Sequence, residues 1–313
     1  MKAVVMAGGQ GTRLRPLTSN QPKPMVPVVN KPAVQHILEL LSRHGFTDVV
    51  MTLAFLPRLI RNYFGDGSSL GMHIEYSLED TPLGTAGSVR LAKDLLDDTF
   101  LVISGDALTD FDLTSIISFH RAREAMVTIA LKSVENPLEF GVVIVDEEGR
   151  IQRFLEKPGW GQVFSDTVNT GIYVMEPEVL DHIPEGQPYD FSHDVFPKLF
   201  DLHKPLYGIV CDGYWQDIGN LEQYLQANRD ALDGRVKVTP PGVRLRGNIW
   251  VDQGANLESL DSVEGPALIG RNVRVDSGAQ IMAHTVLGDN SVVRAGEQKA
   301  TSVLAENTYE GRG

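Results

Sequence analysis

The sequence predicts an α/β protein. A Rossmann-like, mainly parallel sheet with helices on both faces is followed by a C-terminal left-handed parallel β-helix of hexapeptide repeats. Three observations carry this expectation. Over roughly the first 230 residues, short apolar runs alternate with longer stretches of helical periodicity. A glycine-rich segment, Gly8-Gly9-Gln10-Gly11, follows the first apolar run, where positive φ and close backbone approach are needed. From Leu245 onward an apolar residue recurs at every sixth position. Pro240-Pro241-Gly242 reads as the corner between two units, 1–234 and 241–313.

The elements follow in order. Lys2–Ala7 reads as a buried strand, and Ala33–His44 carries apolar residues at helical spacing and stops at Gly45. Asp48–Leu53 is a strand, Pro57–Phe64 a helix, His73–Ser77 a strand and Thr85–Leu96 a helix. Phe100–Ser104 runs as a buried strand into Gly105-Asp106, and Asp112–Arg123 is helical. Strands follow at Met126–Lys132, Gly141–Val145, Ile151–Glu156, Gly171–Met175 and Leu206–Cys211, with helices at Phe191–Phe200 and Leu221–Leu232. The hexapeptide phase is Leu245, Val251, Leu257, Val263, Ile269, Val275, Ile281, Leu287, Val293. Small or β-branched residues such as Ala267, Val273, Ala279, Thr285 and Ser291 recur four positions later. The phase breaks at Lys299 and resumes one residue out of register at Leu304.

Composition narrows the function. With 42% hydrophobic and 22% charged residues over 313 positions, the chain is ordinary and globular rather than disordered. Its one cysteine, Cys211, forms no internal disulfide, and the run Ala3–Ala7 is too short for a signal peptide, so a cytoplasmic protein is expected. A net charge of −13 excludes nucleic acid or an anionic membrane as a partner of the overall field. The charge is uneven. Residues 1–50 hold six Lys/Arg against two Asp/Glu, residues 51–234 hold 13 against 30, and residues 235–313 hold nine of each. The basic opening coincides with the glycine-rich segment, which points to a local anion site.

That segment is neither of two common phosphate motifs. Gly9-x-Gly11 leads to Leu14 where a dinucleotide fingerprint has its last glycine, and the Gly-Lys-Ser/Thr of a P-loop is missing. Arg13 and then Pro22-Lys23-Pro24 follow instead, two cations beside a glycine turn, which suits a triphosphate.

Gly8-Gly9-x-Gly11-Thr12-Arg13-Leu14-x-Pro16-Leu17 with Pro22-Lys23-Pro24 resembles the signature of sugar-1-phosphate nucleotidyltransferases. Leu83-Gly84-Thr85-Ala86-Gly87, Gly105-Asp106, Glu139-Phe140-Gly141-Val142, Glu156-Lys157-Pro158, Asn169-Thr170-Gly171 and Trp215-x-Asp217-Ile218-Gly219 follow in the family's order. Within the family the pattern is most similar to mannose-1-phosphate guanylyltransferases. Thymidylyl-, uridylyl- and adenylyltransferases share most of it.

The resemblance implies the reaction NTP + sugar 1-phosphate → NDP-sugar + pyrophosphate, with GTP and mannose 1-phosphate as the expected pair. A phosphate monoester has a second pKa near about 6, so the attacking oxygen is already ionised and no general base is needed. Positioning and charge stabilisation remain to be supplied. Arg13 is expected on the α/β-phosphates and leaving pyrophosphate, Lys23 on phosphate, Lys157 on the sugar phosphate and Glu156 on a sugar hydroxyl. Asp106 and Asp217 are expected to share one Mg²⁺. The backbone of Ala7, Gly8, Gly9, Gly11 and Thr12, with Gly84, Thr85 and Ala86, is expected to hold base and ribose. Glu79 would read guanine N1–H and N2–H. Gly141, Asn169 and Thr170 would line the sugar site.

Two further readings stand beside the enzyme. One is a non-catalytic sensor of nucleotide sugars on the same fold. The other is acyl transfer by the hexapeptide tail, where His284 is the sole histidine. The complete set Arg13, Lys23, Asp106, Lys157 and Asp217 favours the enzyme. Cys211 reads as a buried strand residue and Trp160, between two glycines, as a loop anchor. The tail is expected to form homo-oligomers. The early end of the repeats suggests a longer protein, and relatives are sometimes fused to a phosphohexomutase-like domain.

Overall fold

The computed structural model describes residues 1–156, 165–299 and 302–310. Its centre is a nine-stranded sheet. Ala3–Met6 lies between Asp48–Leu53 and Phe100–Ser104, parallel to both, and His73–Leu78 adds a further parallel strand. These strands are apolar in succession because both faces are covered. Ala3 and Val5 enter one core with Met51, Leu101 and Ile103, while Val4 enters the other with Val50, Phe100 and Val102. Helices α1 (Ala33–Arg43), α2 (Pro57–Phe64) and α4 (Leu113–Ala122) contribute to the first core. Helices α3 (Gly84–Leu91) and α5 (Phe196–Asp201) contribute to the second. Helix α6 (Leu221–Asp233) is capped by the Asn220 side chain and ends at Gly234, whose φ is 75°.

The expected parallel centre is present, and antiparallel strands extend the sheet on one side. Thr167–Met175 runs antiparallel to Phe100–Ser104, Val127–Ser133 and Gly141–Val145, and Ile151–Glu156 is antiparallel to Gly141–Val145. Residues 127–156 contain three successive strands without a crossover helix, and such strands return antiparallel. Only Leu206–Val210, reached through α5, joins Val127–Ser133 in parallel. The expected helix over Phe191–Phe200 begins as a wide π-turn, Phe191–Val195, before α5. The helix expected over Thr85–Leu96 stops at Leu91, and a 3-10 turn follows at Lys93–Leu95.

Beyond residue 242 the chain visits three short parallel sheets in rotation. Ile249 pairs with Ala267 and Ala267 with Thr285, steps of 18 residues. Asn256–Leu257, Arg274–Val275 and Val292–Val293 form the second sheet, and Gln280–Ile281 pairs with Gln298–Lys299 in the third. Leu287 then pairs with Leu304, a step of 17, where the sequence phase slips. Ile269, Val275, Ile281, Leu287 and Val293 are buried between the sheets. Leu245 is not among them. It is exposed because Val243–Arg244 pairs antiparallel with Trp250–Val251, so the inward phase starts one repeat later.

This segment packs on the first unit. Leu268 and Val286 share a core with Leu14, Val28, Val29, Ile218, Tyr224 and Ala227. The turn Val29–Asn30, both at positive φ, is held between them. Val29 N–H donates to Asn228 Oδ1 (2.8 Å), and Asn30 Nδ2 donates to Leu287 O (2.8 Å). His284 Nε2 lies 2.8 Å from Asp233 Oδ1 at the same junction.

Candidate active site

The glycine turn leaves the carboxyl end of the central strand Ala3–Met6, where ligands of open α/β sheets bind. Ala7 N–H donates to Thr52 O (2.9 Å), which carries the chain past its neighbour strand. Gly11 sits at φ 68°, and a Cβ there would lie 2.8 Å from Lys23 Cβ. The tight packing is matched by hydrogen bonds: Lys23 N–H donates to Gly9 O (3.1 Å), and the buried Thr18 hydroxyl donates to Gly11 O (2.6 Å). Lys23 is thus fixed against the turn that carries Arg13 on its 3-10 helix, Thr12–Leu14.

Two short strands that sequence reading missed bring the distant aspartates together. Trp215–Asp217 pairs antiparallel with Ala107–Thr109, with Asp217 opposite Ala107. Ile218 N–H donates to Asp106 O (3.2 Å). Asp106 is delivered by Ser104-Gly105, where a Cβ on Gly105 would lie 3.1 Å from Met6 O. Lys23 Nζ lies 2.7 Å from Asp106 Oδ2 and 3.4 Å from Asp217 Oδ1. Burial works against this ammonium, but the two carboxylates outweigh it and hold the lysine pKa above its ordinary 10.5. Burial pushes the Asp217 carboxyl above the ordinary carboxylate range, against the pull of Lys23.

Arg13, Lys23, Asp106, Gly141, Asn169, Thr170 and Asp217 line one cavity of about 640 Å³. Arg13 Nη2 would lie 3.4 Å from a Cβ on Gly219, beside Asp217. Asn169, at the start of the register shift in Thr167–Met175, has Oδ1 accepting from Gly171 N–H (2.9 Å). The Thr170 hydroxyl is directed inward and donates to Ala130 O (2.7 Å), so its backbone rather than its side-chain oxygen faces outward, with Thr170 O accepting from Trp215 Nε1 (3.1 Å).

A second group of expected residues lies on the other side of the glycine turn. A Cβ on Gly8 would lie 3.3 Å from Glu79 Oε1 and 3.3 Å from Ala54 Cβ. Glu79 Oε2 accepts from Leu83 N–H (2.9 Å). Burial raises the Glu79 pKa above its ordinary value, partly offset by that N–H. Ala86 N–H is committed to Tyr189 O (2.9 Å), and the Thr85 hydroxyl donates to Asp190 Oδ2 (2.7 Å). These two groups are thus engaged with residues 189–190.

Glu156 ends its strand, and nothing is described of its side chain; Lys157 and Trp160 lie outside the described residues. Cys211 is buried in apolar surroundings that push its thiol up to about 12, so it stays an inert thiol at neutral pH. The cavity also contains residues the sequence reading missed: Ser104, Phe140, Ser192, Trp215, Asn220 and Gln223. Phe140 and Trp215 meet edge to face at 5.4 Å and form an apolar wall. Asn220 had a readable signal as the N-cap before Leu221. Ser192 had none, because its position depends on the π-turn.

A profile of the nucleotidyl transferase family matches residues 2–234. UTP–glucose-1-phosphate uridylyltransferase of Synechocystis sp. is 39% identical, covering 100% of this chain and 85% of its own length. Mannose-1-phosphate guanylyltransferase of Mycobacterium tuberculosis is 38% identical, covering 94% of this chain and 81% of its own length. The crystal structure of a putative glucose-1-phosphate thymidylyltransferase from Bacillus anthracis superposes with a TM-score of 0.68 over 76% of this chain and 96% of that one, at 24% identity. This last likeness concerns the fold.

Proposed function

This chain belongs to the nucleotidyl transferase family, and from that premise we propose that it joins an NTP to a sugar 1-phosphate, releasing pyrophosphate, with GTP and mannose 1-phosphate as its pair. The observation that carries the reading is the convergence of Arg13, Lys23, Asp106 and Asp217 with Asn169 in one cavity. The sugar phosphate oxygen arrives ionised, so these residues bind, orient and neutralise. Arg13 offers a fork of donors for the α/β-phosphates and the departing pyrophosphate. Asn169 and the backbone at Gly141 orient the sugar phosphate, and the Phe140–Trp215 wall keeps water from it. Lys157 and Glu156 complete that side by their motif.

Asp106 and Asp217 fit a magnesium site. Asp106 immediately precedes the strand Ala107–Thr109 that pairs with Trp215–Asp217, and the two carboxylates already share one cation, the Lys23 ammonium, so their field is arranged for positive charge. Asp106 and Asp217 would hold the ion from the protein side, and substrate phosphate and water would complete its shell. When bound, Mg²⁺ would supply charge neutralisation for the phosphates.

Base choice rests on Glu79. Its Oε1 faces the glycine turn beside Gly8 and accepts donors, which guanine offers at N1 and N2. A UTP and glucose 1-phosphate pairing is favoured by the uridylyltransferase relative at 39% identity. Pyrophosphate release measured across ATP, GTP, UTP and dTTP, with mannose, glucose and N-acetylglucosamine 1-phosphates and Mg²⁺, separates them. GTP with mannose 1-phosphate is expected to be fastest. Release with no pair, alongside nucleotide-sugar binding, would establish a sensor instead.

The units are read as a catalytic 1–234 and a tail 241–313. The three parallel sheets, visited in steps of 18, support a left-handed parallel β-helix for the tail, which serves to join copies of the chain. No helix among the described residues is long and apolar enough to cross a membrane, and the cytoplasm is the proposed location. A phosphohexomutase-like fusion partner would generate the sugar 1-phosphate consumed here.

A further inference from the structure

Residues 189–195 run from the segment Leu83–Gly87 to the cavity lining. They are tied first to Leu83–Gly87. Ala86 and Gly87 N–H donate to Tyr189 O (2.9 and 3.1 Å), and Tyr189 N–H donates to Leu83 O (2.8 Å). The approach is so close that a Cβ on Gly84, at φ 72°, would lie 2.7 Å from Tyr189 O. The Thr85 hydroxyl donates to Asp190 Oδ2 (2.7 Å) and accepts from Phe191 N–H (3.0 Å).

Asp190 then shapes the turn that reaches the sugar side. Its Oδ1 accepts from Ser192 N–H (2.8 Å) and His193 N–H (3.1 Å), and its own N–H donates to Asp194 Oδ2 (2.7 Å). The resulting π-turn places Ser192 in the cavity lining. There Ser192 Oγ accepts from Asn169 Nδ2 (3.0 Å), which completes an unbroken series of contacts from Thr85 through Asp190 and Ser192 to Asn169. No residue in the series except Asn169 and Ser192 faces the cavity where Asp106 and Asp217 stand.

We propose that Asp190 is a positioning residue that couples the two substrate walls: a nucleotide seated against Gly84–Ala86 also fixes Asn169 and Ser192 for the sugar 1-phosphate. This rests on the nucleotidyltransferase reading and names a residue beyond it. The carboxylate uses both oxygens, one per wall, so neither wall can shift without straining a bond to the other.

The test uses Thr85→Val, Thr85→Ser and Asp190→Asn in the full chain. KM for the sugar 1-phosphate is measured at saturating NTP, and KM for the NTP at saturating sugar 1-phosphate. Thr85→Val and Asp190→Asn are expected to raise the sugar-phosphate KM about tenfold, the scale of one lost positioning contact. Thr85→Ser, which keeps the hydroxyl, is expected to restore it. A sugar-phosphate KM that stays put while the NTP KM moves, or no change in either, overturns the coupling. Amide hydrogen exchange without substrates gives an independent reading. Thr85→Val is expected to speed exchange at Phe191, Ser192 and Gly171, and unchanged exchange at Gly171 overturns the proposal. An inactive wild type would overturn the nucleotidyltransferase reading, while exchange still judges the coupling.

Discussion

The Lys23 ammonium stands 2.7 Å from the Asp106 carboxylate, joining the glycine-rich opening to the floor of the cleft. Asp217 shares the same ammonium from the opposite strand. One cation thus sits between two carboxylates that would otherwise repel each other.

Replacing Lys23 with Met is expected to lower kcat/KM by about 10²–10³, since a charge aimed at developing phosphate charge is lost. Burial already raises the Asp217 carboxyl and Lys23 opposes that rise, so loss of the ammonium is expected to shift the acidic limb of the pH–rate profile upward. Steady-state pyrophosphate release from pH 5 to 9 checks both. A variant within threefold of wild type would remove Lys23 from the reacting site.

Glu79→Gln keeps the shape but turns one accepting oxygen into a donor. GTP selectivity over UTP, measured as a ratio of kcat/KM values, is expected to fall by about tenfold or more. Unchanged selectivity would place base recognition elsewhere.

His120 is buried, with Nδ1 2.9 Å from Thr128 Oγ1 and Nε2 3.0 Å from Glu176 Oε1. Burial lowers its pKa below the ordinary 6.5, although Glu176 pulls the other way. The unfolded chain therefore binds this proton more readily than the folded one. Its contribution to stability is complete above pH 6.5 and is lost as pH falls from there toward the lowered folded-state value. Buried His36, also lowered chiefly by burial, acts in the same direction. The thermal midpoint is expected to drop between pH 7.5 and 5.5, and His120→Gln is expected to flatten part of that slope. Parallel slopes in variant and wild type would contradict it.

Leu268 lies in the tail yet shares a core with Leu14, next to Arg13, and with Ile218, next to Asp217. Leu268→Ala is expected to cost about 2–5 kcal/mol in chemical denaturation. It is also expected to reduce kcat at temperatures where the chain remains folded. Full activity with reduced stability would show that the tail supports the fold without tuning the cleft.

Much of this arrangement was readable in the residues. Strand runs such as Phe100–Ser104 and the six-residue phase are dictated by which side chains must leave water, and that pattern is local. The glycine turn with Arg13 and Lys23 was equally legible, because Gly11 supplies a backbone conformation other residues resist. The strands Ala107–Thr109 and Trp215–Asp217 were not. Each is three residues long, and neither has a pattern until it finds the other. The inward turn of Thr170 and the engagement of Thr85 with Asp190 were hidden for the same reason.

The sequence by itself determined the order of elements, the parallel centre of the sheet, the stacking period of the tail and the residue types at the cleft. These follow from periodicity and backbone preference within a few neighbouring residues. Only the tertiary structure decided that the sheet is mixed and that Lys23 sits between Asp106 and Asp217. It also decided that Asp190 links Thr85 to the turn carrying Ser192 and that Leu268 shares a core with Leu14. Those outcomes depend on contacts between residues up to 254 positions apart. A hydrogen bond or ion pair of that kind is specified by where the whole chain places two groups, and no local window contains both.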